Sequence, residues 1–330
     1  MANASWEYES LFSFFAPYAG PSHSIRLSYL FISIFVLKYL PNSIDNEDET
    51  LKLTQSVLDL NWEEVKVKIT RFIRDYIEKA RAKGIVLGLS GGVDSSTAAA
   101  LSAIAIGGNK VLGLLLPEKE TYNPKDMEHA KLAAEKFAIK TETIDITPAI
   151  EAFQKTIPLF DPDDNLCKGN LKARTRMLCL YYYANKLNFI VCGSSDKSET
   201  MIGYFTKWGD VAADIAPLMD LYKTQVRKLA MHIGVPEEIV NKPPSPALWP
   251  GQTAEEEIGI KYETLDLILC GLEHFMKTEE IAKQLGLQKE LVEKVKRRWQ
   301  TTEHKRRMPL TTKIQYRTVG FDFRIPHNQP

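Results

Sequence analysis

The densest chemistry in the chain lies in Gly88-Leu89-Ser90-Gly91-Gly92-Val93-Asp94-Ser95-Ser96. Two adjacent glycines let the backbone turn tightly, so that successive N–H groups face one point. A helix opening just after them adds the partial positive charge of its N-terminus, and the serine hydroxyls add donors. Together these make an anion cradle suited to phosphate. No Lys-Ser/Thr pair follows the glycines, so this is not a Walker-type loop. The spacing is not GxGxxG either, which disfavours a hydride-transferring enzyme. Asp94 stands where that lysine would be, and a carboxylate beside a phosphate cradle makes sense if Mg²⁺ bridges the two. The bland alternative is an ordinary glycine turn capped by Asp94. It is disfavoured because every position of the segment has a physical task.

Such a loop needs a strand to launch it and a helix to receive it. Residues 85–89 are apolar and strand-like, and an alanine-rich helical pattern follows over 95–106. Further short apolar runs at 111–116, 141–146 and 188–192 read as buried parallel strands. Helical patterns at 126–137 and 172–186 lie between them, and residues 61–83 form an amphipathic helix with Val65, Ile69, Phe72, Ile73 and Ile77 near a 3.6 period. This alternation predicts an α/β fold: a doubly wound parallel sheet with helices on both faces and extra C-terminal helices. In such a sheet the first and fourth strands lie side by side at the switch point.

Composition narrows the partners. The 330 residues are 44% hydrophobic and 25% charged, the profile of a soluble globular protein. Lys+Arg 42 balances Asp+Glu 42, so no global field draws the chain to nucleic acid or to an anionic membrane. Cys167, Cys179, Cys192 and Cys270 contain no CxxC pair and read as reduced, mostly buried thiols in a cytoplasmic protein. The expected organisation is an N-terminal extension over 1–55, weakly ordered, followed by a single catalytic domain over 56–330. Within the extension the apolar stretch 27–37 is too short to span a bilayer. No small-residue cleavage site follows it. It reads either as a membrane-associating or targeting segment or as an appended one without chemistry.

The glycine loop resembles that of the N-type ATP pyrophosphatases, which cleave ATP between its α and β phosphates. Downstream segments single out one family. Gly169-Asn170-Leu171-Lys172-Ala173-Arg174-Thr175-Arg176-Met177, Gly193-Ser194-Ser195-Asp196-Lys197-Ser198-Glu199, Gly203-Tyr204-Phe205-Thr206-Lys207-Trp208-Gly209-Asp210 and Thr302-Glu303-His304-Lys305-Arg306 resemble, in order, motifs of the ammonia-dependent NAD synthetases. The resemblance runs from residue 61 to about 309. It implies that Gly88, Ser90, Gly91, Gly92, Ser95, Ser96, Ser194, Lys223 and Ser245 contact ATP. Asp94 and Glu199 would bind Mg²⁺, Asp94 and Lys223 serving catalysis. Asn170, Arg174, Lys207, Asp214, His304 and Lys305 would contact deamido-NAD, and the family's dinucleotide site implies a homodimer. The sequence departs from the family where Val211-Ala212-Ala213 replaces its glycines, which puts Asp210 and Asp214 in question. Taken alone, Lys223 also reads as a solvated helix lysine, Glu199 as a helix N-terminal charge, and His304 and Lys305 as a basic tail.

The chemistry so implied is amidation of a carboxylate. The nicotinate carboxylate attacks the α-phosphorus of ATP, pyrophosphate leaves, and ammonia then displaces AMP from the acyl adenylate. A deprotonated carboxylate needs no general base for the first step, so positioning and charge neutralisation should carry it. Asp210 is the candidate for holding ammonium before attack. A glutaminase needs its own domain, and the segment before residue 61 is barely long enough and lacks cysteine. Free ammonia is therefore the expected donor, with no built-in glutaminase. Three rivals stand beside this reading, one of them a non-catalytic relative, which the presence of Asp94, Glu199 and Lys223 disfavours. A tRNA-acting ATP pyrophosphatase would need a basic face and usually active-site cysteines. A DNA-binding regulator could use residues 278–300 as a helix-turn-helix with Lys294, Lys296, Arg297 and Arg298. A single basic helix end is more often a solvated face or a ligand clamp.

Overall fold

The computed structural model describes residues 51–319 and residue 322. Most of the expected extension, including its apolar stretch 27–37, lies outside the described residues. Leu53 and Leu58, near the expected boundary, are buried.

Helix α1 (Trp62–Ala80) starts where Asn61 accepts a hydrogen bond from Glu64 N, with Glu63 and Glu64 in its positive first turn. It ends at Arg81, which adopts the left-handed conformation. Four strands follow, β1 (Gly84–Gly88), β2 (Val111–Leu115), β3 (Lys140–Thr143) and β4 (Phe189–Val191). They form one parallel sheet in the order β3-β2-β1-β4, with Ile85 opposite Val111 on one side and Ile190 on the other. As the sequence implied, β1 and β4 are neighbours, so the chain reverses its winding between them.

Helices cover both faces because strand residues alternate. Ile85, Leu87, Val111 and Leu115 pack against α1, α2 (Val93–Ile106), α3 (Pro124–Lys136) and α7 (Lys223–His232). Val86, Leu112, Leu114 and Val191 pack against α4 (Thr147–Thr156) and α5 (Asn165–Leu187). Burying one such side chain contributes roughly 1.5–3 kcal/mol. The C-terminal part adds α8 (Glu237–Val240), α9 (Ala254–Ile258), α10 (Tyr262–Glu273), α11 (Thr278–Leu285), α12 (Lys289–Thr301) and α13 (Glu303–Arg306). Between β4 and α7 sits the short α6 (Lys197–Ile202).

One strand differs from expectation. β3 is exposed along its whole length, because Lys140–Thr143 are polar residues at an edge of the sheet, paired with β2. The apolar residue that suggested a buried strand, Ile146, enters the core from the turn after it. The four cysteines are free thiols, with Cys192 and Cys270 buried and Cys167 exposed. Among the described residues no helix is long and apolar enough to cross a membrane.

Candidate active site

The glycine loop leaves the carboxyl end of β1, an interior strand of the sheet, and enters α2. Leu89 N donates to Leu114 O at 2.9 Å, continuing the β1–β2 pairing one residue further. Gly91 then turns with φ of +76°, and a Cβ there would stand 2.2 Å from the carbonyl oxygen of Asp126 on α3. Only glycine meets both demands. The serines build the loop. Ser95 Oγ donates to Gly92 O (3.1 Å), accepts from Ser90 N (3.2 Å) and lies 3.0 Å from Ser90 Oγ. Gly92 is the N-cap of α2 and offers no side chain, so the first-turn N–H groups are not consumed by a cap. Ser96 Oγ is buried without a partner. Gly91→Ala should therefore displace the loop from α3, costing about 1–3 kcal/mol of stability and most ATP binding. Denaturant melts and nucleotide titration would check this, and unchanged ATP affinity would contradict it.

Beside the loop, Lys223 at the first position of α7 reaches under its mouth. Far from being a solvated lysine, it is 0% exposed. Its Nζ lies 2.7 Å from Asp94 Oδ2, 2.8 Å from Asp196 Oδ2 and 2.8 Å from Glu199 Oε1. Tyr262 covers the ammonium with its ring at 5.2 Å and donates its hydroxyl to Glu199 Oε1 at 3.2 Å. Burial alone would push the Lys223 ammonium to lose its proton, but the three carboxylates outweigh it and hold the pKa well above the ordinary value. Burial raises Asp196 and Glu199 despite the lysine. Asp94 Oδ1 is buried and has no partner.

A further buried carboxylate, outside the group round Lys223, sets this cluster in place. Asp266 on α10 accepts from Ser198 Oγ (2.5 Å) and from Thr224 N (2.8 Å), while Ser198 Oγ accepts from Lys223 N (2.9 Å). The first turns of α6 and α7 are thereby tied to one side chain. Burial pushes Asp266 up to about 6.

The other sequence-derived residues gather round the turn after α6. Asn170 Oδ1 accepts from Thr206 Oγ1 (2.7 Å), and Arg174 Nη2 donates to Lys207 O (3.2 Å). Asp210 Oδ1 accepts from Thr206 N at 2.8 Å. Lys207 lies over the ring of Trp208, whose φ is +61°. Lys305 Nζ donates to Gly203 O (2.6 Å) and sits 4.8 Å over Phe205. Burial lowers its pKa. His304 is exposed. Asp214 stands apart, its Oδ2 accepting from Val191 N (2.7 Å) at the edge of β4. Ser194 follows β4 and is half-buried. Ser245 belongs to the Pro-rich loop 243–253, where its Oγ donates to Gln252 O (2.6 Å).

Several functional residues escaped the sequence reading. Asp196 had no role assigned from sequence, although an Asp shortly after a strand and three residues before a Glu is a helix N-cap signal. Lys172 is fully buried, held by Glu118 and Glu120 at 2.6 Å each and donating to Leu248 O at 3.1 Å. It pins the Pro-rich loop to α5 and to the segment after β2. Tyr262 and Asp266 carried no local signal at all, and Arg306 lay in the Thr302–Arg306 segment without a role of its own. Arg298, read as part of a basic helix face, turns inward and donates to Ile202 O at 3.2 Å.

Known proteins share this sequence and fold. The family model described as NAD synthase matches residues 65–309. The chain is 52% identical to the NH(3)-dependent NAD(+) synthetase of Methanocaldococcus jannaschii over 256 residues, covering 77% of this chain and 98% of that protein. Among solved structures it resembles an NMN synthetase from Francisella tularensis, with TM-score 0.69 and 36% identity over 78% of this chain and 100% of that one. An NH3-dependent NAD synthetase from Campylobacter jejuni, in complex with nitrate, gives TM-score 0.65 and 29% identity over 77% and 100%. With a match this long placed over this loop and this carboxylate cluster, the chain belongs to the NAD synthase family.

Proposed function

We propose that this chain is an ammonia-dependent, amide-forming ligase. It converts deamido-NAD, ATP and ammonia to NAD, AMP and pyrophosphate, the last step of NAD biosynthesis. The observation that carries the reading is Lys223, buried and held by Asp94, Asp196 and Glu199 beside a glycine loop that opens the uncapped N-terminus of α2.

The deprotonated nicotinate carboxylate needs no base. Its oxygen attacks the α-phosphorus of ATP, the bridging Pα–O bond breaks, and pyrophosphate departs from the loop. The first-turn amides of α2 and the Ser96 hydroxyl bind the phosphates, and Lys223 offsets their charge. Ammonia then attacks the acyl carbon, the bond to the AMP oxygen breaks, and the nitrogen sheds a proton. Asp210, beside the turn that carries Lys207, is the group proposed to receive ammonium. Asn170, Arg174, Lys207 and Lys305 stand round that same turn, where deamido-NAD is proposed to lie with His304. Lys305 would have to release Gly203 O to meet it. Asp214 is proposed to act by shaping the end of β4. Ser194 and the loop bearing Ser245 are proposed to enclose the adenosine end.

The donor set fits a divalent cation. Three carboxylates crowd one ammonium next to a polyanion site, and Asp94 Oδ1 is buried and orphaned. Asp94 and Glu199 would hold Mg²⁺, which would neutralise phosphate charge. Among the described residues no three His, Cys, Asp or Glu side chains form a complete metal site, so phosphate oxygens and water would supply the other ligands. A homodimer in the cytoplasm, with residues 56–330 as the catalytic unit and 1–55 as an extension, completes the reading.

A second reading, amidation of nicotinate mononucleotide, is favoured by the higher TM-score of the F. tularensis neighbour. The relative at 52% identity favours the dinucleotide. An assay with ATP, Mg²⁺ and each acceptor in turn, comparing ammonium with glutamine, decides both questions. NAD formed from deamido-NAD with ammonium is expected. Product from the mononucleotide alone, or from glutamine alone, would overturn the reading.

A further inference from the structure

The helix that carries Glu199 is six residues long, and a helix this short has no stability of its own. Its position must come from what holds its ends. At the start, Asp196 caps Glu199 N at 2.8 Å and Lys197 N donates to Leu221 O. The far end is held more heavily. Four consecutive carbonyls there each accept from a cationic side chain. Arg306 Nη1 donates to Thr200 O (3.0 Å) and Met201 O (2.8 Å), Arg298 Nε to Ile202 O (3.2 Å), and Lys305 Nζ to Gly203 O (2.6 Å). These cations also complement the negative end of the helix dipole.

Arg306 is the keystone of this arrangement. Its Nη2 donates to Trp299 O, in the last turn of α12, and to Glu303 Oε2, while Nη1 also reaches Thr302 Oγ1. The fork therefore welds α6 to the end of α12. The approach is tight, since a Cβ on Gly203 would stand 2.4 Å from Thr302 Cβ. A lysine could supply the charge but not two carbonyl bonds and two anchors in one plane.

We infer that Arg306 is a positioning residue for the reaction, holding α6 so that the Glu199 carboxylate stays beside Asp94 and Lys223. This rests on the functional reading above. It acts through backbone carbonyls and touches no substrate.

Arg306→Lys tests it, with two independent readouts. Steady-state kinetics should show kcat down about 10- to 100-fold, the range for outer partners of a site, with KM for ATP and deamido-NAD within about twofold. Hydrogen exchange should show faster exchange at amides 199–204, with the sheet amides as in the parent. Guanidinium added to Arg306→Ala should restore part of the lost rate. A raised KM for deamido-NAD with kcat intact would mean that Arg306 binds substrate, and would overturn the inference. So would parent-like kinetics or unchanged exchange at 199–204. If Arg306→Lys fails to fold, Arg298→Met, which withdraws the Ile202 hydrogen bond and the stacking over Tyr204 but leaves the Arg306 contacts, must show the same local loss of protection and kcat; its absence refutes the idea. Should the parent chain make no NAD, the functional reading fails, while the exchange pattern still decides whether Arg306 secures α6.

Discussion

Lys223→Met is expected to abolish adenylation and to destabilise the fold by on the order of 3–5 kcal/mol, the cost of stranding buried charge. The size of the effect follows from the count of charges. Asp94, Asp196 and Glu199 all meet at one ammonium within 2.8 Å, and Asp196 is itself 0% exposed. Methionine fills the space but leaves three carboxylates facing one another with no counter-ion. Their escape is protonation, and a protonated Glu199 or Asp94 can no longer draw a cation. Denaturant melts and pyrophosphate release measure the two consequences separately. A variant as stable and as active as the parent would show that the lysine is a bystander.

Asp94→Asn should separate function from folding. The amide oxygen can still accept from Lys223 Nζ, so the bond at 2.7 Å survives. Replacing one of three carboxylates crowded round a single ammonium relieves repulsion, so the melting temperature should hold or rise. The NH₂ group, however, replaces the orphaned Oδ1 and presents donors where a cation would need an acceptor. Pyrophosphate release is expected to fall at least about 100-fold, as for loss of a single transition-state charge contact. A stabilised, inactive protein is the signature of a residue kept for chemistry at the expense of the fold. Full activity in Asp94→Asn would remove Asp94 from the site.

The contrast between these two variants also bears on how Lys223 acts. Sequence resemblance made it a phosphate contact; the fold makes it first the counter-ion of the carboxylates. Both roles need the charge, and only the second makes the fold depend on it.

Much of this was legible in the chain because it is local. A strand, a glycine turn and a helix N-terminus are contiguous over residues 84–106, so the anion cradle follows from sequence order and backbone geometry alone. The alternation of apolar runs and helical patterns fixed the parallel sheet, and winding order put β4 beside β1. The side of Asp94 that faces Glu199 was thereby implied, though not what lies between them. The edge position of β3 was hidden, since an apolar run gives no sign of whether its residues enter the sheet or the turn after it.

What only the tertiary structure decided is which long-range groups share one buried volume. Lys223 and Asp94 are separated by 129 positions, and Asp266 reaches Ser198 across 68. No periodicity records such meetings. A lysine on a helix looks the same in sequence whether water or three carboxylates surround it, because desolvation and Coulomb energy depend on distance in space and not along the chain. The same holds for Arg306, a basic residue in a basic tail until the carbonyls of α6 arrive within its reach.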